Sequence, residues 1–341
     1  MKTAIIAAFG AVLALAGAWA SSKGAPPPET LLNASYEATR DFFRAYDAAF
    51  AREWKRRTGA EIFVRQSHQP SGQQAGAVAN DLEADVVTLP VPSDVDFIAA
   101  KSRLLGADWR KRLPHGSSPY TTTVVFLVRK GNPKRLRDWP DLVKPGIEVI
   151  VPNPKTSGSA RWTYAAAWGA ARLRGGDEAA ARAFMAELYR HAPVLDSGSR
   201  KAATTFIERR IGDVLVAYEN EAMLALDRLG RSEVELVAPP RSVIVEPVAA
   251  VVDAYADRHG ARRAAEAYVE YLYSPEAQEL AARHHFRPRD PAAAARHSAE
   301  FPAMELFTLE SQFGSWAQAQ KTQFSEGGVF DQIYQPGVTK R

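Results

Sequence analysis

The feature that most constrains this chain is a regular alternation of short apolar strands with amphipathic helices along nearly its whole length. The first strand is predicted over Leu31–Tyr36, and the helix predicted over Thr39–Thr58 carries aromatic residues near helical spacing before it ends at Gly59. Further strands and helices alternate up to the C-terminal part, where helices dominate. Such alternation predicts the α/β fold class, with mostly parallel sheets flanked by helices.

Two strands are candidates for linking separate lobes. Tyr120–Arg129 is rich in Thr, Val and Phe and runs into the turn Lys130–Pro133, and Val243–Val252 is a second strongly apolar strand. The chain has 341 residues, and a domain takes about 150 residues. We therefore expect two lobes that are joined by two crossing strands.

The N-terminal residues predict the compartment. Met1-Lys2 is followed by the apolar run Ala4–Ala16 and by Ala18-Trp19-Ala20, the pattern of a signal peptide with an A-x-A cleavage site. The run is too short to span a bilayer comfortably. Because the chain contains no cysteine, neither a disulfide framework nor a lipid-bearing cysteine is expected. We expect residues 1–20 to be removed and the mature protein to be free in the periplasm.

The charge pattern argues against nucleic acid as a partner. Lys and Arg exceed Asp and Glu by four over the chain, and both signs are well mixed. The densest basic clusters, Arg52–Arg57 and Arg283–Arg289, are neither repeated nor interleaved with the aromatic platforms that single-strand binding requires. We predict a solvated surface and no nucleic-acid partner.

A secreted hydrolase is the alternative from a different functional class. Such an enzyme would need a G-x-S-x-G nucleophile elbow or paired histidines for a catalytic metal. No serine has glycine at both of those flanking positions, and the seven histidines include no H-E-x-x-H motif. The sequence therefore predicts a binding protein without catalytic residues, metal or cofactor.

Three predicted strands run into short Ser/Gly loops that open helices. The loops are Ser71-Gly72, Ser157-Gly158-Ser159 and Ser197-Gly198-Ser199. Each directs free backbone N–H groups and the positive end of a helix dipole toward one place. Ser and Gly are also simply preferred N-caps, so one such loop alone indicates no ligand. Ligands of open α/β sheets lie beyond the carboxyl ends of strands, and three such loops together predict an anion-binding cleft.

Dense sequence strings closely resemble the bacterial periplasmic sulfate-binding proteins, from about Glu29 to Ile333. They are Leu31–Tyr36, Val64–His68, Pro119–Lys134, Pro152–Lys155, Val194–Gly198, Ile211–Leu215, Glu219–Ala222, Tyr271–Glu276 and Phe286–Asp290. The resemblance implies a two-lobed periplasmic-binding-protein (Venus flytrap) fold. Lobe I would comprise 29–118 and 250–341, and lobe II would comprise 119–249 with the hinge strands. It also implies a monomer that captures sulfate, with thiosulfate as a further ligand, for the permease subunits of an ABC transporter.

The resemblance further implies a site that holds dehydrated sulfate through neutral donors, with no cationic side chain in contact. The implied donors are the main-chain N–H groups of Glu37, Gly158, Ser159 and Ser199, the hydroxyls of Ser71 and Ser157, and Tyr218 where the family has an indole. Glu37 replaces the usual Asp of the family, Ser159 a second Gly and Ser199 an Ala. The hydroxyl of Tyr218 can still donate, but it reaches a different point.

The protonation state of each anion at neutral pH predicts which anion the site binds. Sulfate carries no proton at neutral pH, whereas phosphate carries at least one and needs an acceptor, so a site made only of donors rejects phosphate. A Glu37 carboxylate turned inward would favour phosphate instead. Molybdate, tungstate and phosphate stay open as alternative ligands. Two local expectations concern packing: Trp139, Trp162, Trp168 and Tyr271 belong to the core, and His68 stabilises its loop.

Overall fold

The computed structural model describes residues 29–229 and 233–334, so the predicted signal peptide lies outside the described residues. The strands are β1 (Glu29–Tyr36), β2 (Ile62–Gln69), β3 (Val86–Leu89), β4 (Tyr120–Thr121), β5 (Val124–Arg129), β6 (Val149–Pro152), β7 (Leu195–Asp196), β8 (Val214–Tyr218), β9 (Val234–Val237), β10 (Arg241–Val243), β11 (Val248–Val251), β12 (Arg287–Pro288) and β13 (Glu305–Phe307).

The helices alternate with these strands. They are α1 (Arg40–Thr58), α2 (Ser71–Asn80), α3 (Pro92–Ser102), α4 (Pro114–Ser117), α5 (Gly158–Leu173), α6 (Glu178–Arg190), α7 (Ser199–Ile207), α8 (Glu219–Leu229), α9 (Asp253–Arg258), α10 (Arg262–Tyr271), α11 (Pro275–Arg283), α12 (Pro291–His297), α13 (Leu309–Phe313), α14 (Trp316–Ala319) and α15 (Val329–Ile333). None of the helices within the described ranges is long and apolar enough to cross a membrane.

Two sheets define two lobes, and four strands follow the same order in both, because β2-β1-β3-β11 of lobe I corresponds to β7-β6-β8-β5 of lobe II, which β9 extends. Lobe I is built on the order β11-β3-β1-β2 and lobe II on β7-β6-β8-β5-β9. In lobe I, β1 runs parallel to β2 and β3, and only β11 is antiparallel. In lobe II, β6 runs parallel to β7 and β8, but β5 is antiparallel to both β8 and β9. Each sheet therefore contains one reversed strand, β11 in lobe I and β5 in lobe II, and the expectation of mostly parallel sheets is confirmed.

The chain passes between the lobes three times, and the two passages that were predicted from the sequence lie side by side. Each predicted crossing strand is interrupted, the first between β4 and β5 and the second between β10 and β11. At the crossing, Thr122 and Val245 exchange two backbone hydrogen bonds of 3.0 and 2.8 Å. The hydroxyl of Thr123 adds a bond of 2.8 Å to the carbonyl oxygen of Val243. The two predicted crossing strands are confirmed as a narrow, paired connection.

Each sheet is covered by helices on both faces because both faces carry apolar side chains. In lobe I, one face packs against α1 and α10 and the other against α2 and α3. In lobe II, one face packs against α5 and α6 and the other against α7 and α8. The four aromatic residues that were expected in the core are buried: Trp139, Trp162, Trp168 and Tyr271. Gly59 ends α1 in a left-handed conformation, with φ of 76°.

The C-terminal segment belongs with lobe II. Phe307, Leu309, Trp316, Phe324 and Phe330 join the hydrophobic cluster that contains α5 and α6. The cause is the pairing of β13 with β10, which brings the chain back across the molecule. The expected placement of all of 250–341 in lobe I needs this correction, and the other lobe boundaries stay predictions.

Candidate anion-binding site

Three helices begin immediately beyond the carboxyl ends of strands and direct their N-termini at the cleft between the lobes. Helix α2 follows β2, α5 follows β6 and α7 follows β7, as the Ser/Gly loops predicted. The first N–H groups of each helix have no acceptor within the helix, and they carry the positive end of its dipole. The cleft therefore combines helix N-termini from both lobes.

The first turn of α5 contacts lobe I directly. The N–H of Gly158 donates to the Oγ of Ser71 over 2.9 Å, which joins the start of α5 to the start of α2. A Cβ atom at position 158 would stand 2.2 Å from Ser71 Oγ and 2.7 Å from the Cγ2 of Val91. Only glycine fits here while the lobes are in contact.

Two further hydroxyls complete this turn. Ser157 is the N-cap of α5, and its Oγ accepts from the N–H of Ala160 over 3.3 Å. The same Oγ lies 2.8 Å from the Oγ of Ser159. The structure thus brings Ser71, Ser157, Gly158 and Ser159 together, as the sequence predicted.

Glu37 and Ser199 meet at the start of α7. Glu37 comes directly after β1, and its Oε2 accepts a long hydrogen bond of 3.4 Å from the N–H of Arg200. The Oγ of Ser199 donates to the Oε1 of Glu221 over 2.8 Å. The carboxylate of Glu37 faces the N-terminus of α7 from lobe I, so both residues lie at the same edge of the cleft.

Tyr218 ends β8 and is wholly buried. Within the described part of the chain, its hydroxyl oxygen has no hydrogen-bond partner. Burial, and secondarily the nearby Glu221 carboxyl, raise its pKa well above that of an ordinary tyrosine. Tyr218 lines a small cavity with Ser159, Ser199 and Glu221. The seven residues named from the sequence therefore all surround the same cleft, and their roles as anion donors stay predictions.

An ion pair beneath the donor loops was missed by the sequence reasoning. Arg161 of α5 donates to Asp94 of α3 over 2.7 Å, and both side chains are only 7% exposed. The second Asp94 oxygen, Oδ2, has no partner among the described residues. The sequence did contain a signal for this pair. Arg161 is a charged residue inside the Ala-rich helix that follows Ser157-Gly158-Ser159. This pair links the two lobes. Within the described residues, Arg161 is the only cation buried beside Gly72, and Asp94 neutralises its charge.

Glu221 was also missed as a neighbour of the site. Burial is the main cause that raises its pKa to about 7, with the Ser199 hydroxyl acting in the opposite direction. Its Oε2 is buried and lacks a hydrogen-bond partner within the described ranges. The signal was its position three residues after Tyr218, in the first turn of α8.

Among the described residues, neither His68 nor a metal-binding cluster is part of the group of proposed donors. The Nδ1 of His68 lies 3.0 Å from the carbonyl oxygen of Tyr36. His68 belongs to β2 and not to a loop, so the expected role in a loop is wrong, and the contact instead joins β2 to the end of β1. Burial lowers the pKa of His68 below its ordinary value. Across residues 29–229 and 233–334, no group of three or more His, Asp or Glu side chains is placed to hold a metal ion.

Comparison with known proteins identifies the family. The family model described as bacterial extracellular solute-binding protein matches residues 31–287. A sulfate-binding protein of Escherichia coli is 52% identical over 304 residues, which covers 89% of this chain and 92% of that protein. A thiosulfate-binding protein of Pseudomonas aeruginosa is 47% identical and covers 96% of this chain and 97% of its own length.

A solved structure agrees with these relatives. The sulfate-binding protein of Mycobacterium tuberculosis superposes with a TM-score of 0.78 at 33% identity, over 87% of this chain and 100% of that chain. Sequence and fold therefore lead to one conclusion: this chain belongs to the bacterial extracellular solute-binding proteins, in the family of the sulfate- and thiosulfate-binding proteins.

Proposed function

We propose that this protein captures sulfate, and also thiosulfate, between its two lobes and delivers the anion to an ABC importer. The observation that carries the proposal is the meeting of the α2, α5 and α7 N-termini at one cleft, with Ser71 in hydrogen-bond contact with Gly158. Relatives named as sulfate-binding and thiosulfate-binding proteins match nearly the whole chain.

The chemistry of the cleft suits a bare dianion. Removing the water from an anion is costly, and several aligned N–H and O–H groups can replace its hydration shell. In the proposal the main-chain N–H groups of Glu37, Gly158, Ser159 and Ser199 act as donors together with the hydroxyls of Ser71, Ser157 and Tyr218. Bound sulfate would exchange the Ser71–Gly158 hydrogen bond for contacts with both groups.

The remaining parts of the proposal concern the cellular role. The protein acts in the periplasm after cleavage behind Ala20, as a monomer, without catalysing a reaction and without a nucleic-acid partner. The lobes close on the anion through the paired crossing at Thr122 and Val245, and the permease subunits recognise the closed form. The family membership supports a transport role, and the narrow crossing supports a hinge.

Thermal unfolding of the mature protein, dialysed free of anions, tests the ligand. Sulfate, thiosulfate, phosphate, molybdate and chloride are added separately. A ligand at 100 times its Kd stabilises by about 2.7 kcal/mol, which raises the unfolding midpoint by several degrees. We expect this rise with sulfate and thiosulfate.

Three results would contradict the proposal. A rise with phosphate or molybdate alone would assign a different oxyanion, and so would displacement of sulfate by an equal concentration of phosphate. Hydrolysis of a phosphoester or a model ester by the pure protein would restore the enzyme alternative.

A further inference from the structure

A carboxyl group stands at the back of the proposed anion site. Glu221 lines the small cavity that also contains Ser159, Ser199 and Tyr218. Its Oε1 accepts the hydrogen bond from Ser199, whereas its buried Oε2 has no partner among the described residues. One oxygen is therefore anchored, and the other is buried without a partner among the described residues.

The surroundings of this carboxyl group favour neither charge state strongly at neutral pH. Burial raises its pKa to about 7, the Glu37 carboxylate acts in the same direction, and the Ser199 hydroxyl and Arg200 act in the opposite direction. A dianion placed in the same cleft adds negative charge within a few ångströms. Like charges in a poorly solvated site disfavour the carboxylate form.

We infer that Glu221 is a proton-linked member of the anion site, which takes up one proton from solvent as the anion enters. This inference rests on the proposed function and deepens it. The neutral carboxyl group offers an O–H donor from its free oxygen, in a cavity whose other polar groups are also donors. The ionised form would place a carboxylate beside the anion and weaken binding.

The other titratable groups around Glu221 come from every element packed against it. Tyr36 and Glu37 face it from β1 and the turn that follows, Arg200 from α7 and Tyr218 from β8. The groove beyond also contains Arg40, Asp41, Glu208 and Arg228. Burial raises the pKa of both tyrosines well above 10.0. His68, whose pKa burial lowers below 6.5, titrates on the acid side of Glu221.

Calorimetric titration with sulfate between about pH 6 and pH 9 tests the inference, in buffers of different ionisation enthalpy. We expect constant affinity up to about pH 7 and a decline of up to tenfold per pH unit above it, with net proton uptake on binding near pH 8. The Glu221→Gln variant should bind with an affinity independent of pH and without proton uptake.

Two further variants separate a proton-linked role from a structural one. Ser199→Ala keeps the main-chain N–H but removes the hydroxyl that stabilises the carboxylate, so the decline should begin at higher pH. Asp47→Asn is the matched control, because Asp47 is a second carboxyl group whose pKa burial raises to about 7, but it lies in lobe I beside Gln66 and Tyr268. This variant should keep the wild-type pH dependence.

The outcomes are distinct. Anion binding with a flat pH profile and no proton uptake overturns the inference and leaves the proposed function intact, and so does a Glu221→Gln variant that keeps the wild-type profile. If thiosulfate or molybdate binds in place of sulfate, the same titration is made with that anion. If no anion binds, both proposals fail together. Should Glu221→Gln fail to fold, an unchanged profile in Ser199→Ala overturns the inference.

Discussion

The two lobes share a strand order but contribute unequally to the cleft. Lobe I brings Glu37, whose main-chain N–H is a proposed donor, and the hydroxyl of Ser71. Lobe II brings the first turn of α5, the start of α7, Tyr218 and Glu221. A repeated topology therefore does not produce a symmetric site. We interpret lobe II as the half that holds the anion first and lobe I as the half that seals it.

The contacts that join the lobes concentrate on the first turns of α5. Gly158 bonds to Ser71, Arg161 pairs with Asp94, and the indole nitrogen of Trp162 donates to the carbonyl oxygen of Pro90 over 2.6 Å. The start of α5, which would supply more donors than any other element, therefore also makes these contacts between the lobes. Three groups of variants test whether lobe II holds the anion while lobe I closes over it, from the largest expected effect on binding to the smallest.

The variant Gly158→Ala should abolish detectable sulfate binding. Its Cβ atom would stand 2.2 Å from Ser71 Oγ, so the lobes could not close without displacing that residue. Titration calorimetry measures the affinity, and small-angle scattering with saturating sulfate should show an open shape. The control is Gly76→Ala in α2, where an added Cβ has open space. It should keep the affinity and gain roughly 0.5–1 kcal/mol of stability. Wild-type affinity in Gly158→Ala would show that the lobes need not meet here.

The variant Arg161→Met should weaken sulfate binding roughly 100-fold or more, because breaking a buried ion pair costs about 3–5 kcal/mol. The pair joins the lobes, so the penalty falls mainly on closure, when Asp94 is buried without a partner. The double variant Asp94→Asn with Arg161→Met should recover part of the affinity. Arg174→Met is the control, since Arg174 pairs with Asp138 at the exposed end of the same helix. Equal losses in the two arginine variants would contradict the assignment.

Two single variants, Ser71→Ala and Ser157→Ala, compare the contribution of one hydroxyl from each lobe to sulfate binding. Each should weaken sulfate binding roughly tenfold, because a hydrogen bond to a charged group contributes about 1.5–3 kcal/mol. Only Ser157→Ala removes an N-cap, which costs about 1 kcal/mol of folding stability. Thermal unfolding without anion should therefore show a lower midpoint in Ser157→Ala alone. A lower midpoint in Ser71→Ala would mean that the Ser71–Gly158 bond stabilises the fold as well as closure.

Much of the fold was predictable because local patterns and tertiary structure agree. The spacing of Phe42, Phe43, Tyr46, Phe50 and Trp54 predicted α1, and all five side chains are buried. The Ser/Gly loops predicted where α2, α5 and α7 begin, to within two residues. These signals lie within a few residues of the structure they specify.

Long-range features were harder to predict. The antiparallel entry of β5 depends on which end of the sheet the crossing chain reaches, and no short pattern encodes that choice. The packing of Trp316 and Phe330 against lobe II depends on the pairing of β13 with β10, far apart in the chain. The pairing of Arg161 with Asp94 and of Ser199 with Glu221 likewise joins residues whose sequence neighbours give no hint of the partner.

The interleaved path of the chain also bears on when the protein can fold. The sheet of lobe I is completed by β11, which is synthesised after most of lobe II, and the main cluster of lobe II is completed by residues up to Phe330. Lobe I cannot bury its full core until Phe286 has been made, and lobe II cannot do so until Phe330 has been made. Contacts so distant in sequence form slowly. A chain built this way cannot complete either hydrophobic core before its synthesis is nearly finished, so its folding is largely a post-synthetic event.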